Sequence, residues 1–452
     1  MITRIEIDGF KTFHDFILEP GPFQVIVGLN GTGKSNLFDA LHLLARLADT
    51  DLHTAFQDLR GESGELFRLL PNGQPTNRMS IAVELLINRS IKDSWGTTVE
   101  LKFTRLRYKV TIARQYDEHG MERLSVVHEH LSPIPRGSDT WVRRYVDKTI
   151  GNWLPRLTGG RSSPFISTNA HNIALHQDGH SGLKSIVAEQ LERTILSSVS
   201  NTEFPHALAV REEMRSWRFP QLNPAVLRQP GAILASNVIA ADTHNVPNAL
   251  ARLQRKDALL MTNISRDLAH LVPGITSISL DTDTDRDRSL IRAHTEDGQI
   301  FSSRVLSDST LRMLTLVTLK NDPEHQGLLC LEEPEHGVHP FQLAHVAQLL
   351  RNLATDFHDP TQQHRPLRQL FVNTHSPILA GQPGIYDALL LAQMVHHAQP
   401  GQEGLRMTQM VRVAREPRNM QLTEEQRQHI IDQVLLYLQS ANIDEAMRVL
   451  KG

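Results

Sequence analysis

One cysteine in 452 residues, Cys330, excludes an internal disulfide framework and a cysteine-built zinc site, and it fits a reducing compartment. An excess of charge of either sign is missing too. The chain carries 47 Lys and Arg against 50 Asp and Glu, a formal net charge of -3, so no global basic field draws it onto nucleic acid. Any DNA contact has to be local or arrive through a partner. No apolar run approaches the roughly 20 residues that a membrane span needs. The opening stretch Met1 to Asp8 alternates apolar and charged residues as a strand does, not as a signal peptide does. A soluble cytoplasmic protein with no membrane partner is the expectation. Sustained heptads are also absent, which argues against a long coiled-coil arm.

What is present has the length of two or three domains, or of one elaborated head with an inserted lobe. Ile2–Ile7, Phe16–Leu18 and the apolar run Phe23–Val27 read as strands, and Ser35 to about Leu47 as a helix. Alternating segments over Ser80–Ile87, Thr97–Phe103 and Arg107–Ala113 predict an antiparallel sheet. From Ser181 to Asp267 the pattern is helical, broken by Pro205, Pro220, Pro224 and Pro230. Strand character returns at Ser277–Asp281 and Leu290–His294, then at the hydrophobic runs Gly327–Leu331 and Gln369–Asn373. A mostly helical tail follows.

Gly28-Leu29-Asn30-Gly31-Thr32-Gly33-Lys34-Ser35 matches G-x-x-x-x-G-K-S in full, with the required strand before it and helix after it. Glycines let backbone N–H groups wrap a polyphosphate, and the helix N-terminus adds positive potential. Lys34 reaches the terminal phosphates and the Ser35 hydroxyl holds Mg2+. The expected ATP-binding set is Asn30, Gly31, Thr32, Gly33, Lys34, Ser35 and Asn36. Leu328-Leu329-Cys330-Leu331-Glu332-Glu333-Pro334-Glu335 is an apolar strand ending in acids, where such a site needs a metal carboxylate and a base for water. Glu332 is assigned to Mg2+ beside Ser35, and Glu333 to the attacking water; Glu335 receives no role. The strand ending at Asn373 delivers Thr374-His375-Ser376-Pro377, placing His375 where open α/β sheets put ligand-contacting residues, as a γ-phosphate sensor. His336 and His339 read as interface or packing residues.

With these motifs in order, the chain resembles the ABC-type ATPases of the RecF, SMC and OLD kind. More narrowly, it resembles bacterial predicted ATPases whose late motifs read S-D-G-T-L-R, E-E-P-E-N-G-x-H-P and T-H-S-P. The matching segments here are Ser307-Asp308-Ser309-Thr310-Leu311-Arg312, Glu332 to Pro340, and Thr374 to Pro377. The resemblance covers mainly the first ~50 residues and those after about Arg304. It implies an α/β P-loop NTPase of ABC/SMC-head type with an antiparallel β subdomain and an inserted helical lobe. The expected division is 1–180 for the first part of the head, 181–270 for the lobe, 271–400 for the second part, and 401–452 for a helical tail. It also implies that Ser307, Asp308 and Ser309 form a signature that one head presents to the ATP of another. Ser309 stands in place of the usual glycine, Asp308 brings negative charge toward the phosphates, and His336 replaces an asparagine. Gln57 and Gln74 are candidates for the Gln-loop of such heads; the adenine contact is unassigned.

The acidic run Asp281–Asp287 reads as a solvated turn and His128-Glu129-His130 as surface residues. The residues after Pro377 lack the Asp-x-Asp strand end of the Toprim nuclease that OLD-type relatives carry. The expected function is ATP hydrolysis coupled to head-to-head association. That association would regulate a separate effector, such as a nuclease, or a DNA transaction, in the manner of the ATPase halves of Septu and PARIS or of RecF-like repair proteins. The alternative is a non-hydrolysing scaffold held together by ATP.

Overall fold

The structure is a computed structural model. It describes residues 1–93, 95–116, 118–135, 137, 139–146, 163–169, 172–177, 183–187, 191–232, 239–283, 288–363, 365–397 and 405–413. In chain order the strands are β1 (Ile2–Asp8), β2 (Phe16–Leu18), β3 (Phe23–Val27), β4 (Arg78–Leu86), β5 (Ser90–Lys92), β6 (Thr98–Glu100), β7 (Arg105–Tyr116), β8 (Glu122–Pro133), β9 (Ile166–Asn169), β10 (Asn172–His176), β11 (Leu183–Val187), β12 (Gly231–Ala232), β13 (Ile275–Asp283), β14 (Arg288–Thr295), β15 (Ile300–Ser302), β16 (Gly327–Glu332), β17 (Arg368–Asn373), β18 (Leu389–His397) and β19 (Leu405–Arg412). The helices are α1 (Lys34–Leu47), α2 (Leu52–Gln57), α3 (Ser63–Leu66), α4 (Trp141–Tyr145), α5 (Pro205–Arg215), α6 (Pro224–Leu227), α7 (Val246–Lys256), α8 (Ala258–Leu271), α9 (Asp308–Asn321), α10 (Leu343–Asn352) and α11 (Pro377–Ala380).

The apolar runs β3, β16 and β17 are buried along nearly their whole length, as strands covered on both faces are. They pair in parallel, with β18 alongside β3 and β19 antiparallel at the edge, in the order β16-β17-β3-β18-β19. Because side chains alternate across a strand, this sheet divides two cores. Leu328, Cys330 and Phe371 join α1 and the inner residues of β1, β4 and β7. Leu329, Leu331, Leu370 and Val372 join residues of α7, α8, α9 and α10. Across α1 lies the second sheet, antiparallel throughout, in the order β11-β10-β9-β8-β7-β4-β1-β2. Helix α1 is buried at ten of its fourteen positions, as expected of a helix between two sheets.

One buried amide ties the sheets together. Gln369 on β17 accepts the Ile2 N–H (2.8 Å) and donates to the carbonyls of Ile2 (2.8 Å) and Gly21 (2.9 Å).

The structure differs from the expected layout in three places. Region 181–270 is not one helical lobe. It opens with β11 at the edge of the antiparallel sheet, α5 packs into the α1 core, and α6, α7 and α8 join α9 on the other side. Beyond residue 400, β19 extends the parallel sheet; the rest of the expected helical tail, 414–452, lies outside the described residues. Glu129 is not a surface residue. It is fully buried on β8 and accepts from Tyr108 Oη (3.0 Å) and from the N–H groups of Ile195 (2.7 Å) and Leu196 (2.9 Å). The His-Glu-His triplet lies on a strand, where neighbours face opposite sides. Among the described residues, no helix is long and apolar enough to cross a membrane.

Candidate nucleotide site

The glycine-rich loop joins β3 directly to α1. Gly33 sits at the helix N-cap in the left-handed region (φ 87°), with no side chain capping the first turn. The N–H groups of that turn are thus left for an anion. Gly33 is also sterically required. A Cβ there would lie 2.1 Å from Thr408 Oγ1 on β19, whose hydroxyl donates to the Thr32 carbonyl (3.0 Å). Lys34 is buried and folds back on its own loop, donating to the carbonyls of Gly28 (2.7 Å) and Leu29 (2.8 Å). Burial pushes its pKa down to about 8, with Glu333 opposing the shift. Asn30 and Gly31 are exposed, while Thr32 is buried and donates to the Leu29 carbonyl (2.8 Å). Asn36 spends its amide on Thr12 Oγ1 (2.9 Å), so in this structure it anchors the loop.

Parallel pairing brings the other candidates to the same edge. Glu332 ends β16 in register with Asn373 on β17, and Asn373 Nδ2 donates to Ser35 Oγ (3.4 Å). Asn373 Oδ1 is buried without a partner. A hydroxyl, a carboxylate and an orphaned amide oxygen form a hard oxygen set that fits Mg2+. Glu333 follows with φ +45°, a left-handed conformation uncommon outside glycine, and its N–H donates to the Asn373 carbonyl (2.8 Å). Its carboxylate lies 3.8 Å from His375 Nε2 and 3.6 Å from His336 Nδ1. His375 is pushed below its ordinary pKa by burial and by Lys34, against the pull of Glu333 and Glu332. Lys34, Ser35, Glu332, Glu333 and His375 therefore converge in one cluster.

Three residues at this edge escaped the sequence reading. Glu335 is buried and accepts from Thr374 Oγ1, while its Oε2 has no partner; burial raises its pKa. Arg60, from the polar stretch after α2, reaches Glu332 Oε1 (3.1 Å) and carried no motif signal. Gln221 lines a cavity together with Glu332, on a segment that reaches the β16 edge through a parallel bridge of Arg218 with Leu329. Neither candidate Gln lies there: Gln57 is exposed beside His53 (3.4 Å) and Gln74 is exposed in a turn.

The signature segment lies apart from this cluster. Ser307 is the exposed N-cap of α9, its Oγ accepting from the Thr310 N–H (3.2 Å) and bonded to Ser309 Oγ (3.1 Å). Asp308 is paired with Arg228, which also donates to the Leu306 carbonyl (3.1 Å). That cation offsets the negative charge expected to face the phosphates. Further along α9, Arg312 donates to the His336 carbonyl (2.9 Å), tying the signature helix to the loop that follows Glu333.

This combination of fold and site defines an ATP-binding P-loop NTPase of the ABC/SMC-head type. Residues 23–120 and 178–380 match the family described as "AAA domain, putative AbiEii toxin, Type IV TA system", and the chain belongs to that family. It is 30% identical over 135 residues to the chromosome partition protein Smc of Bordetella petrii, and 31% identical over 112 residues to that of Thauera aminoaromatica. These stretches cover 28% and 23% of this chain but span only 11% and 9% of the two Smc proteins. Similar solved structures include an SmcHead bound to the C-winged helix domain of ScpA (15% identity, 91% of this chain and 98% of that chain, TM-score 0.48). Another is the SMC head domain from Thermotoga maritima (15% identity, 91% of this chain and 99% of that chain, TM-score 0.39).

Proposed function

We propose that the chain hydrolyses ATP with Mg2+ at the edge formed by β3, β16 and β17, and that two heads must meet to complete the site. The observation that carries this reading is the convergence of Lys34, Ser35, Glu332, Glu333 and His375 around the partnerless Asn373 Oδ1. Asn30 to Ser35 cradle the phosphates, Lys34 leaves its loop carbonyls for them, and Ser35 and Glu332 hold the metal. Bound Mg2+ would supply positive charge against the β and γ phosphates. Glu333 takes a proton from the attacking water, and His375, within reach of Glu333, senses the γ-phosphate. Glu335 holds Thr374 and through it the position of His375. Gln221 is a better placed Gln-loop candidate than Gln57 or Gln74.

Ser307 to Ser309 have no phosphate of their own chain to face, which favours their use in trans by a second copy of the head. ATP-driven pairing would then regulate a separate effector, such as a nuclease, or a DNA transaction, in anti-phage defence or repair. A scaffold that binds ATP without turnover is the second reading. It is favoured by Arg60 occupying Glu332 and by the Ser309 side chain in the signature.

Steady-state phosphate release, alone and with DNA, separates the two readings. Mixing then tests the shared site. Ser307→Arg should bind ATP without hydrolysing it, and adding Lys34→Ala chains should restore activity, since each heterodimer has one intact cradle facing one intact signature. No activity at any ratio, with heterodimers demonstrated, counts against the shared site. Full activity of Ser307→Arg alone removes Ser307 from it.

A further inference from the structure

A cavity of about 830 Å³ lies between α1, the loop at Asp58–Arg60 and the segment Arg215–Pro224. Its size is that of a small-molecule site. Glu332 and the Gln-loop candidate Gln221 line it, and none of the loop residues Asn30 to Asn36 does.

Its charges do not balance. Asp58 is paired with Arg46 (2.5 Å), Asp49 with Arg215 (2.9 Å), Asp39 with Lys11 (2.7 Å) and Glu332 with Arg60 (3.1 Å). Two more guanidinium groups line the cavity with no carboxylate partner among the described residues. Arg218 donates to the carbonyls of Arg215 (2.5 Å) and Trp217 (3.1 Å). Arg312 donates to the carbonyl of His336, and its Nε is buried without a partner. Burial, and then the charge of Arg215, push the Arg218 pKa down, as expected of a cation that lacks a counter-charge. A half-buried guanidinium left with carbonyls is poorly compensated, and the planar fork of Arg suits phosphate oxygens above other anions.

We propose that this cavity is a second ligand site, which binds a phosphate or pyrophosphate group between Arg218 and Arg312. Arg60 lines the same cavity and holds Glu332. An anion seated there attracts Arg60 away from Glu332 and frees that carboxylate for Mg2+, so occupancy activates the head. This regulatory step rests on the reading of Glu332 as the metal ligand; the binding site does not.

Calorimetric titration of the full chain with inorganic pyrophosphate, and separately with a nucleoside diphosphate, tests the site. Wild type should bind pyrophosphate at two places, and Lys34→Ala should retain one of them. Adding Arg218→Gln to Lys34→Ala should weaken the retained site about 10-fold or more, the worth of one charge-assisted contact. Arg312→Gln should act likewise and serves where Arg218→Gln fails to fold by circular dichroism. Tighter binding of the nucleoside diphosphate than of pyrophosphate to Lys34→Ala identifies a nucleotide as the source of the phosphate. Equal binding identifies the phosphate group alone. A single site that depends on Arg218 and not on Lys34 leaves this inference standing and removes the P-loop reading. Absence of pyrophosphate binding to Lys34→Ala, or binding indifferent to both arginine substitutions, overturns the inference.

Discussion

In the antiparallel sheet, Glu129 is fully buried and both carboxylate oxygens are met by donors: Tyr108 Oη and two backbone N–H groups. Arg105, at the start of the adjacent strand β7, is fully buried too. It is closed by Asp139 (2.7 and 3.1 Å) and Thr3 Oγ1 (2.7 Å). At the carboxyl edge of the parallel sheet the opposite holds. Asn373 Oδ1 and Glu335 Oε2 are buried with no partner, Glu333 sits in a left-handed conformation, and Lys34 has only the carbonyls of its own loop. Saturated buried groups hold a fold together, whereas unsaturated ones clustered at strand ends mark a place reserved for a ligand. The contrast assigns stability to the closed Glu129 and Arg105 clusters and chemistry to the strand ends around Asn373, and substitutions in each should act differently.

Lys34→Ala should have the largest effect. It removes the cation that faces the terminal phosphates, so ATP affinity should fall by about 10³-fold or more, while the urea midpoint changes little. Calorimetry showing unchanged affinity in a folded variant would erase the contrast. Glu333→Gln keeps shape and loses the base. Phosphate release should drop about 10²- to 10³-fold with ATP affinity retained, and wild-type turnover would move the base elsewhere, Glu335 being next in line.

The antiparallel sheet should answer in stability. Arg105→Ala leaves Asp139 buried without its partner and should cost about 3–5 kcal/mol in denaturant unfolding. The ATP dissociation constant of the folded fraction should be unchanged; a loss of affinity without a loss of stability would reverse that assignment.

Glu129 gives the smallest and most specific test. Burial raises its pKa from 4.5 to about 7, against the donors that lower it. The folded state therefore holds the proton more tightly than the unfolded chain. The stability this contributes is full below pH 4.5 and is lost as pH rises to about 7, a change of up to about 3 kcal/mol. Glu129→Gln should flatten unfolding free energy over that window. A variant that keeps the wild-type slope would show that another group titrates there.

Much of the parallel sheet was legible because its signals are local and unmixed. Phe23–Val27, the glycines and the start of α1 are contiguous, and strands buried on both faces read as unbroken apolar runs. The His-Glu-His triplet was misread because a strand buried on one face places alternate polar residues in opposite environments, and nothing in three letters says which side is inside. The 181–270 region looked uniformly helical because α5, α7 and α8 share one periodicity, although they pack into different cores.

By itself, then, the sequence determined the phosphate loop, the acidic strand and the order of motifs, since each lies within a few bonded neighbours and obeys strand or helix periodicity. Only the tertiary structure decided which groups meet at the site. Asn373 meets Ser35 across 338 positions and Arg60 meets Glu332 across 272, by pairing and packing that no local pattern encodes. The same holds for what is left unpaired. A partnerless oxygen, or a guanidinium without a carboxylate, is a property of everything around it, and it exists only once the two sheets have closed on α1.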